Sequence, residues 1–193
     1  MTADVALLTG GEDKPYALGL GSALAAQRVR VDFHGSDEID GPELHSTPYI
    51  NFLNLRGDQS RGASFCKKAF RVLRYYGRLF WYASTASPKV FHILWHNPFE
   101  VFDRLVLMRY YKFCGRRLVF TAHNVNARKR DGGDSWLNRF SLRAQYRSAD
   151  HIFVHTHRMK AELETDFSVP EAKITIIPFG INNTLPNTSL ARA

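Results

Sequence analysis

At 193 residues the chain has room for one α/β domain and not for two full ones. Hydrophobic residues at 45% and charged residues at 23% are ordinary globular values, and a domain of this size buries roughly 70% of its unfolded surface, so no staple is required. A net charge of +8 invites a polyanionic partner: nucleic acid, anionic lipid or a phosphorylated substrate.

Short β-branched and aromatic runs alternate with longer segments of helical period. Residues 5–9 read as a buried strand broken by Gly10-Gly11, and 16–27 as a small-residue helix. Residues 29–33 give the next strand, 35–48 a polar loop with two prolines and four acids, and 49–55 a third strand. The segment 64–83 is the strongest helix in the sequence. Strands then follow at 90–95, 118–122, 151–155 and 174–177, separated by helices at 101–113, 136–147 and 158–167. This alternation predicts a doubly wound, Rossmann-like parallel sheet of six or seven strands, because parallel strands need crossover helices. Beyond Pro178 the composition turns to Asn, Thr, Pro and Ser, and 182–193 reads as an interdomain linker after a domain at 1–181.

Ligands of open parallel sheets bind outside the carboxyl ends of the strands, so those ends are where chemistry is expected. They carry Thr9-Gly10-Gly11, His96-Asn97, His123-Asn124, His155-Thr156-His157 and Pro178-Phe179-Gly180. Each has a bland counterpart. A strand-end histidine such as His123 is either a functional imidazole or a hydrogen-bonded structural one. His92, inside its strand, reads as a core histidine. His155 and His157 share a face if the strand persists and, with His96 or His123, are a minor candidate for zinc, although no Cys or carboxylate completes the ligand set. Gly10-Gly11 serves a tight turn or a close approach to ligand. Gly19-Leu20-Gly21 is followed by Leu24 where a dinucleotide fingerprint needs its third glycine, which disfavours a simple NAD-binding domain.

The helix at 64–83 carries Lys67, Arg71, Arg74 and Arg78 at helical spacing, with Ala69, Val72, Leu73, Tyr76 and Phe80 read as the opposite side. Such a helix either lies on anionic membrane or presents a solvated face. Nucleic acid ranks lowest as a partner, since interleaved aromatic and basic motifs are missing. Cys66 and Cys114 read as reduced thiols of a cytosolic protein. The amino terminus lacks the pattern of an export signal, and no run reaches the length of a membrane span. A cytoplasmic protein is therefore the expectation, peripheral to the membrane if the basic helix lies on it. Arg56-Gly57-Asp58 and the two Asn-x-Ser/Thr matches after 181 are read as coincidence.

From about Val90 onward the sequence resembles the N-terminal domain of family 4 glycosyltransferases. The resemblance rests on His92-Ile93-Leu94-Trp95-His96, Thr121-Ala122-His123-Asn124, Ala149-Asp150-His151-Ile152-Phe153-Val154 and Ile177-Pro178-Phe179-Gly180, in that order. It implies the acceptor-side half of a GT-B fold, in which a second lobe holds a nucleotide-activated sugar as co-substrate, with no cofactor and no essential metal. The reaction it implies is transfer of a sugar, with retention of configuration, to a saccharide or lipid-linked acceptor. The resemblance casts His123 as the histidine that reaches the reacting sugar. Gly10 and Gly11 are cast as the loop near phosphate and acceptor, His96 and Asn124 as substrate contacts, and Gly180 as the turn before the linker. The family's donor-site cations and paired carboxylates belong to the C-terminal domain, which these 193 residues do not contain. The sequence therefore stands either as a fragment, as half of a two-chain glycosyltransferase, or as a non-catalytic module that binds acceptor or membrane.

Overall fold

A computed structural model describes residues 2–178 apart from Gly11, Glu12, Arg61 and Ala63. Seven strands form one all-parallel sheet: β1 (Val5–Leu8), β2 (Val31–Gly35), β3 (Ile50–Asn54), β4 (Val90–Ile93), β5 (Arg117–Ala122), β6 (His151–Val154) and β7 (Ile174–Ile176). Their order is β3-β2-β1-β4-β5-β6-β7. The alternation read from the sequence thus gives the Rossmann-like α/β fold it implied.

Each face of the sheet has its own core. Leu7, Val31 and Phe33 pack against Ala17 of α1 (Lys14–Ala26) and Leu44 of α2 (Pro42–Ser46). On the other face Leu8, Phe91, Phe120 and Ile152 meet α3 (Phe65–Thr85), α4 (Glu100–Phe102) with its continuation α5 (Met108–Phe113), α7 (Trp136–Ser148) and α8 (His157–Phe167). A short helix, α6 (Ala127–Arg130), follows β5.

Local chemistry sets the helix ends. Asp13 caps α1 by accepting from the Tyr16 N–H, Ser135 caps α7 through Asn138, and Thr156 caps α8 through Met159. A π-helical turn, Asp103–Leu107, joins α4 to α5 and turns Asp103 and Arg104 into the interior.

Three local expectations change. The segment 35–48 is not wholly loop, because Pro42 starts a five-residue helix that buries Leu44. Val29 belongs to the end of α1: its N–H bonds the Leu24 carbonyl while Arg28 turns at φ +61, so β2 begins at Val31. On α3 the buried side is Leu79 and Ala83, whereas Leu73, placed on the apolar side from sequence, is 71% exposed. The proposed linker at 182–193 lies outside the described residues.

Candidate active site

Strand order dictates where the site is. The chain leaves β1 toward β2 and leaves β4 toward β5, so the connections after two neighbouring strands diverge and open a crevice between them. Gly10 lies at the start of one connection and the segment Trp95-His96-Asn97-Pro98 at the start of the other.

Gly10 is buried at φ +62, and a Cβ there would stand 2.7 Å from the Trp95 carbonyl oxygen and 2.9 Å from Trp95 Cβ. Both observations require glycine. Its carbonyl accepts from the Arg56 guanidinium, which also sits 5.5 Å from the centre of the Tyr75 ring. Asp58 pairs with Arg71 of α3, so Arg56-Gly57-Asp58 works inside the fold.

His123 follows β5 and is half-buried in an aromatic setting. The Trp95 indole stacks on it, 4.2 Å between centroids and 4° from parallel, and the Tyr16 ring meets it edge-on at 4.8 Å. His155 Nδ1 lies 2.9 Å from the Ile177 carbonyl oxygen, and His155 Nε2 lies 3.3 Å from His123 Nδ1. A carbonyl can only accept, so the neutral His155 ring carries its proton on Nδ1. Its Nε2 then accepts from His123 Nδ1, and the His123 Nε2 is left bearing a lone pair. Burial, reinforced by His155, lowers the His123 pKa to about 4, so the ring is a neutral hydrogen-bond acceptor at physiological pH.

His96 has a different situation. Its Nε2 donates to Gln145 Oε1 at 2.8 Å, its ring stacks on Phe120, and burial lowers its pKa to about 3. Gln145 Oε1 also accepts from Arg104, whose guanidinium reaches Glu100, Asn138 and Ser141. Asp103 Oδ2 accepts from both the backbone and side-chain N–H groups of Asn97, and Asp103 Oδ1 accepts from the Tyr76 hydroxyl. This network pins the turn after β4, and His96 belongs to it as a support.

Asn124 is exposed and lines a cleft of about 310 Å³ together with Trp95, His96, Asn97, Arg104, His123 and Arg128. The site thus brings together Gly10, His123 and Asn124, while Gly11 and Gly180 lie outside the described residues. His92 is a core residue, bonded to Thr121 at 2.8 Å. His155 and His157 do not share a strand face, because β6 stops at Val154 and His157 opens α8. Among the described residues no group of three metal-binding side chains occurs. Sequence reading placed Asn97 at a strand end without giving it a role, and it assigned none to Tyr16, Trp95 or Arg56. Only Trp95 and Asn97, beside a strand-end histidine, carried any positional signal.

The sequence profile of Glycosyltransferase Family 4 matches residues 15–185. The chain belongs to glycosyltransferase family 4. No curated protein matches it in sequence. Among solved structures, sucrose-phosphate synthase from Thermosynechococcus elongatus is similar at TM-score 0.66 and 16% identity, over 92% of this chain and 48% of that one. UGT89C1 of Arabidopsis thaliana, complexed with quercetin, is similar at TM-score 0.56 and 10% identity, over 99% of this chain and 54% of that one. UDP-GlcNAc 2-epimerase from Methanocaldococcus jannaschii follows at TM-score 0.54 and 12% identity, over 90% and 45%. These likenesses show a fold shared with GT-B glycosyltransferases. The family 4 chain spans about half the length of each, and one epimerase among them illustrates that the fold does not choose the reaction.

Proposed function

We propose that this family 4 domain forms the acceptor side of a retaining glycosyltransferase that moves a sugar from a nucleotide donor to a saccharide or lipid-linked acceptor. The observation that carries the reading is the His123 imidazole. It lines the cleft after β5, held neutral and oriented by His155 and Trp95. A neutral imidazole fixed in this way suits contact with a sugar, and preorganised polar contacts at a reacting centre are usually the largest catalytic term. Gly10 lets the β1 turn approach closely, and Asn124 offers an exposed amide beside the imidazole. The nucleotide sugar is the co-substrate, without a metal, and its diphosphate is bound by a second lobe supplied by this protein or by a partner chain. Sugar transfer from a panel of nucleotide sugars, measured with that lobe present, tests the reading, and a loss of transfer in His123→Ala at unchanged fold supports it. Unchanged transfer removes His123 from the site.

A second reading is favoured by one surface. Phe65, Phe70, Leu73 and Trp81 of α3 are 84%, 63%, 71% and 71% exposed, on the helix that also presents Lys67, Lys68 and Arg74. No helix among the described residues is long and apolar enough to cross a membrane. An aromatic and basic helix face of this kind suits the surface of an anionic bilayer, where a lipid-linked acceptor would be presented by a cytoplasmic, peripheral enzyme.

A further inference from the structure

A second cleft opens on the other side of the Asn97-Pro98 turn from His123. It holds about 430 Å³ between the segment after β3, the first turns of α3 and the turn after β4. Arg56, Lys68 and Arg71 line it with Asn97, Tyr75 and Phe99. Two of the cations are already fixed in place. The Arg56 guanidinium is held by the Gly10 carbonyl and the Tyr75 face, and Arg71 by Asp58 and the Ser60 carbonyl. Lys68 is exposed and makes no ion pair among the described residues. Three cations thus meet one carboxylate, that of Asp58.

Asn97 adds a polar group to the wall of the cleft. It is 7% exposed, and its Nδ2 must face Asp103, because a carboxylate only accepts. That orientation leaves Oδ1 buried and without a donor among the described residues. A buried carbonyl oxygen without a donor has lost its water and gained nothing in return, so structures rarely retain one that serves only packing.

We infer that this cleft is a subsite for a phosphorylated saccharide. Its phosphate would lie among Arg56, Lys68 and Arg71, and the sugar ring would lie against Tyr75 and Phe99, beside Asn97. Prepositioned guanidinium groups bind phosphate through charge-assisted hydrogen bonds. Naming the occupant as the acceptor rests on the acceptor-side reading above. The cleft's affinity for a sugar phosphate does not, because it is measurable without any sugar donor.

The experiment is calorimetry and amide-resonance mapping on the full chain, with glucose 6-phosphate, glucose and inorganic phosphate as probes. Glucose 6-phosphate is expected to bind more tightly than inorganic phosphate and to shift the amides of Gln59, Ser60, Tyr76 and Asn97, while glucose does neither. Lys68→Glu, on an exposed side chain, should weaken binding about tenfold, as expected for converting an attractive charge into a repulsive one. Lys67→Glu, one residue away and outside the cleft, should change it less than about twofold. Equal loss in the two variants would reduce the effect to the overall positive charge and overturn the subsite. Equal binding of glucose 6-phosphate and inorganic phosphate would overturn the saccharide part. Shifts confined to the cleft bounded by Asn124 and Arg158, or no binding, would overturn the whole. A failed transfer assay leaves this result standing, and a failed binding assay leaves the transfer reading standing.

Discussion

Gly10 shows how closely turn and crevice depend on single atoms. Gly10→Ala puts a Cβ 2.7 Å from the Trp95 carbonyl oxygen in a left-handed backbone, so a destabilisation of about 1–3 kcal/mol is expected, measured by urea unfolding. A Gly19→Ala control, where a Cβ meets nothing within 4 Å, should be neutral or stabilising. The histidines carry a separate pH signature. Burial lowers the folded pKa of His34 and His96 to about 3 and of His92 and His123 to about 4, below an unfolded value near ~6.5. Above ~6.5 both states are unprotonated and stability is complete. As pH falls below that, the unfolded chain takes up protons first, so stability is lost from ~6.5 down to the folded values of about 3 to 4. Four rings acting in the same direction make acid destabilisation of the fold the expected outcome. His34 has no hydrogen-bond partner on either ring nitrogen and packs edge-on against Tyr82. His34→Leu should therefore shift the acid midpoint downward, as circular dichroism against pH would show; an unmoved midpoint would exclude His34 as a contributor. None of this was visible in the sequence, where His34 fell between the strand read at 29–33 and the loop read at 35–48.

Helix α3 separates what periodicity reveals from what it conceals. Its existence followed from spacing alone, but which side it buries did not. Aromatic and basic residues occupy nearly its whole circumference, and the buried side is decided by which residues reach Phe91 and Tyr111 on neighbouring elements. The basic row is also not one surface. Arg71 is tied to Asp58 and Arg78 to the Leu55 carbonyl, while Lys67 and Arg74 remain exposed beside Phe70 and Trp81. Liposome sedimentation should therefore show binding to anionic vesicles that weakens with salt and with Lys67→Glu plus Arg74→Glu. Phe70→Ser plus Trp81→Ser should weaken it independently of salt. Binding indifferent to lipid charge, salt and both variants would leave α3 with a solvated face. The strands behaved differently: composition placed all seven, because buried parallel strands are short runs of Val, Ile, Leu and Phe that few other structures require. Their ends are less legible. The strands read from sequence at 90–95 and 151–155 stop in the structure at Ile93 and Val154, where the backbone turns away from the sheet.

The seven-stranded lobe supplies one wall of a crevice, and the solved structures it resembles are about twice as long. On the proposed reading, transfer requires a second wall that brings the nucleotide sugar over His123, excludes water and neutralises the leaving diphosphate. The 193 residues alone are accordingly expected to give no sugar transfer, and a family 4 donor lobe, fused or added as a second chain, to restore it. With that lobe present, His123→Ala should lower turnover on the order of a hundredfold, the usual cost of losing one preorganised polar contact at a reacting centre. His155→Ala should lower it less, and its effect should deepen as the pH falls. Without His155 the His123 ring loses the partner that fixes its tautomer and a neighbour that opposes its protonation. Both variants are to be checked for folding by thermal denaturation, since the two rings also pack on Tyr16 and Trp95. Transfer by the isolated chain would refute the need for a second wall. Equal pH profiles for the original pair and the His155→Ala pair would show that the imidazole chain from Ile177 to His123 is only a packing arrangement.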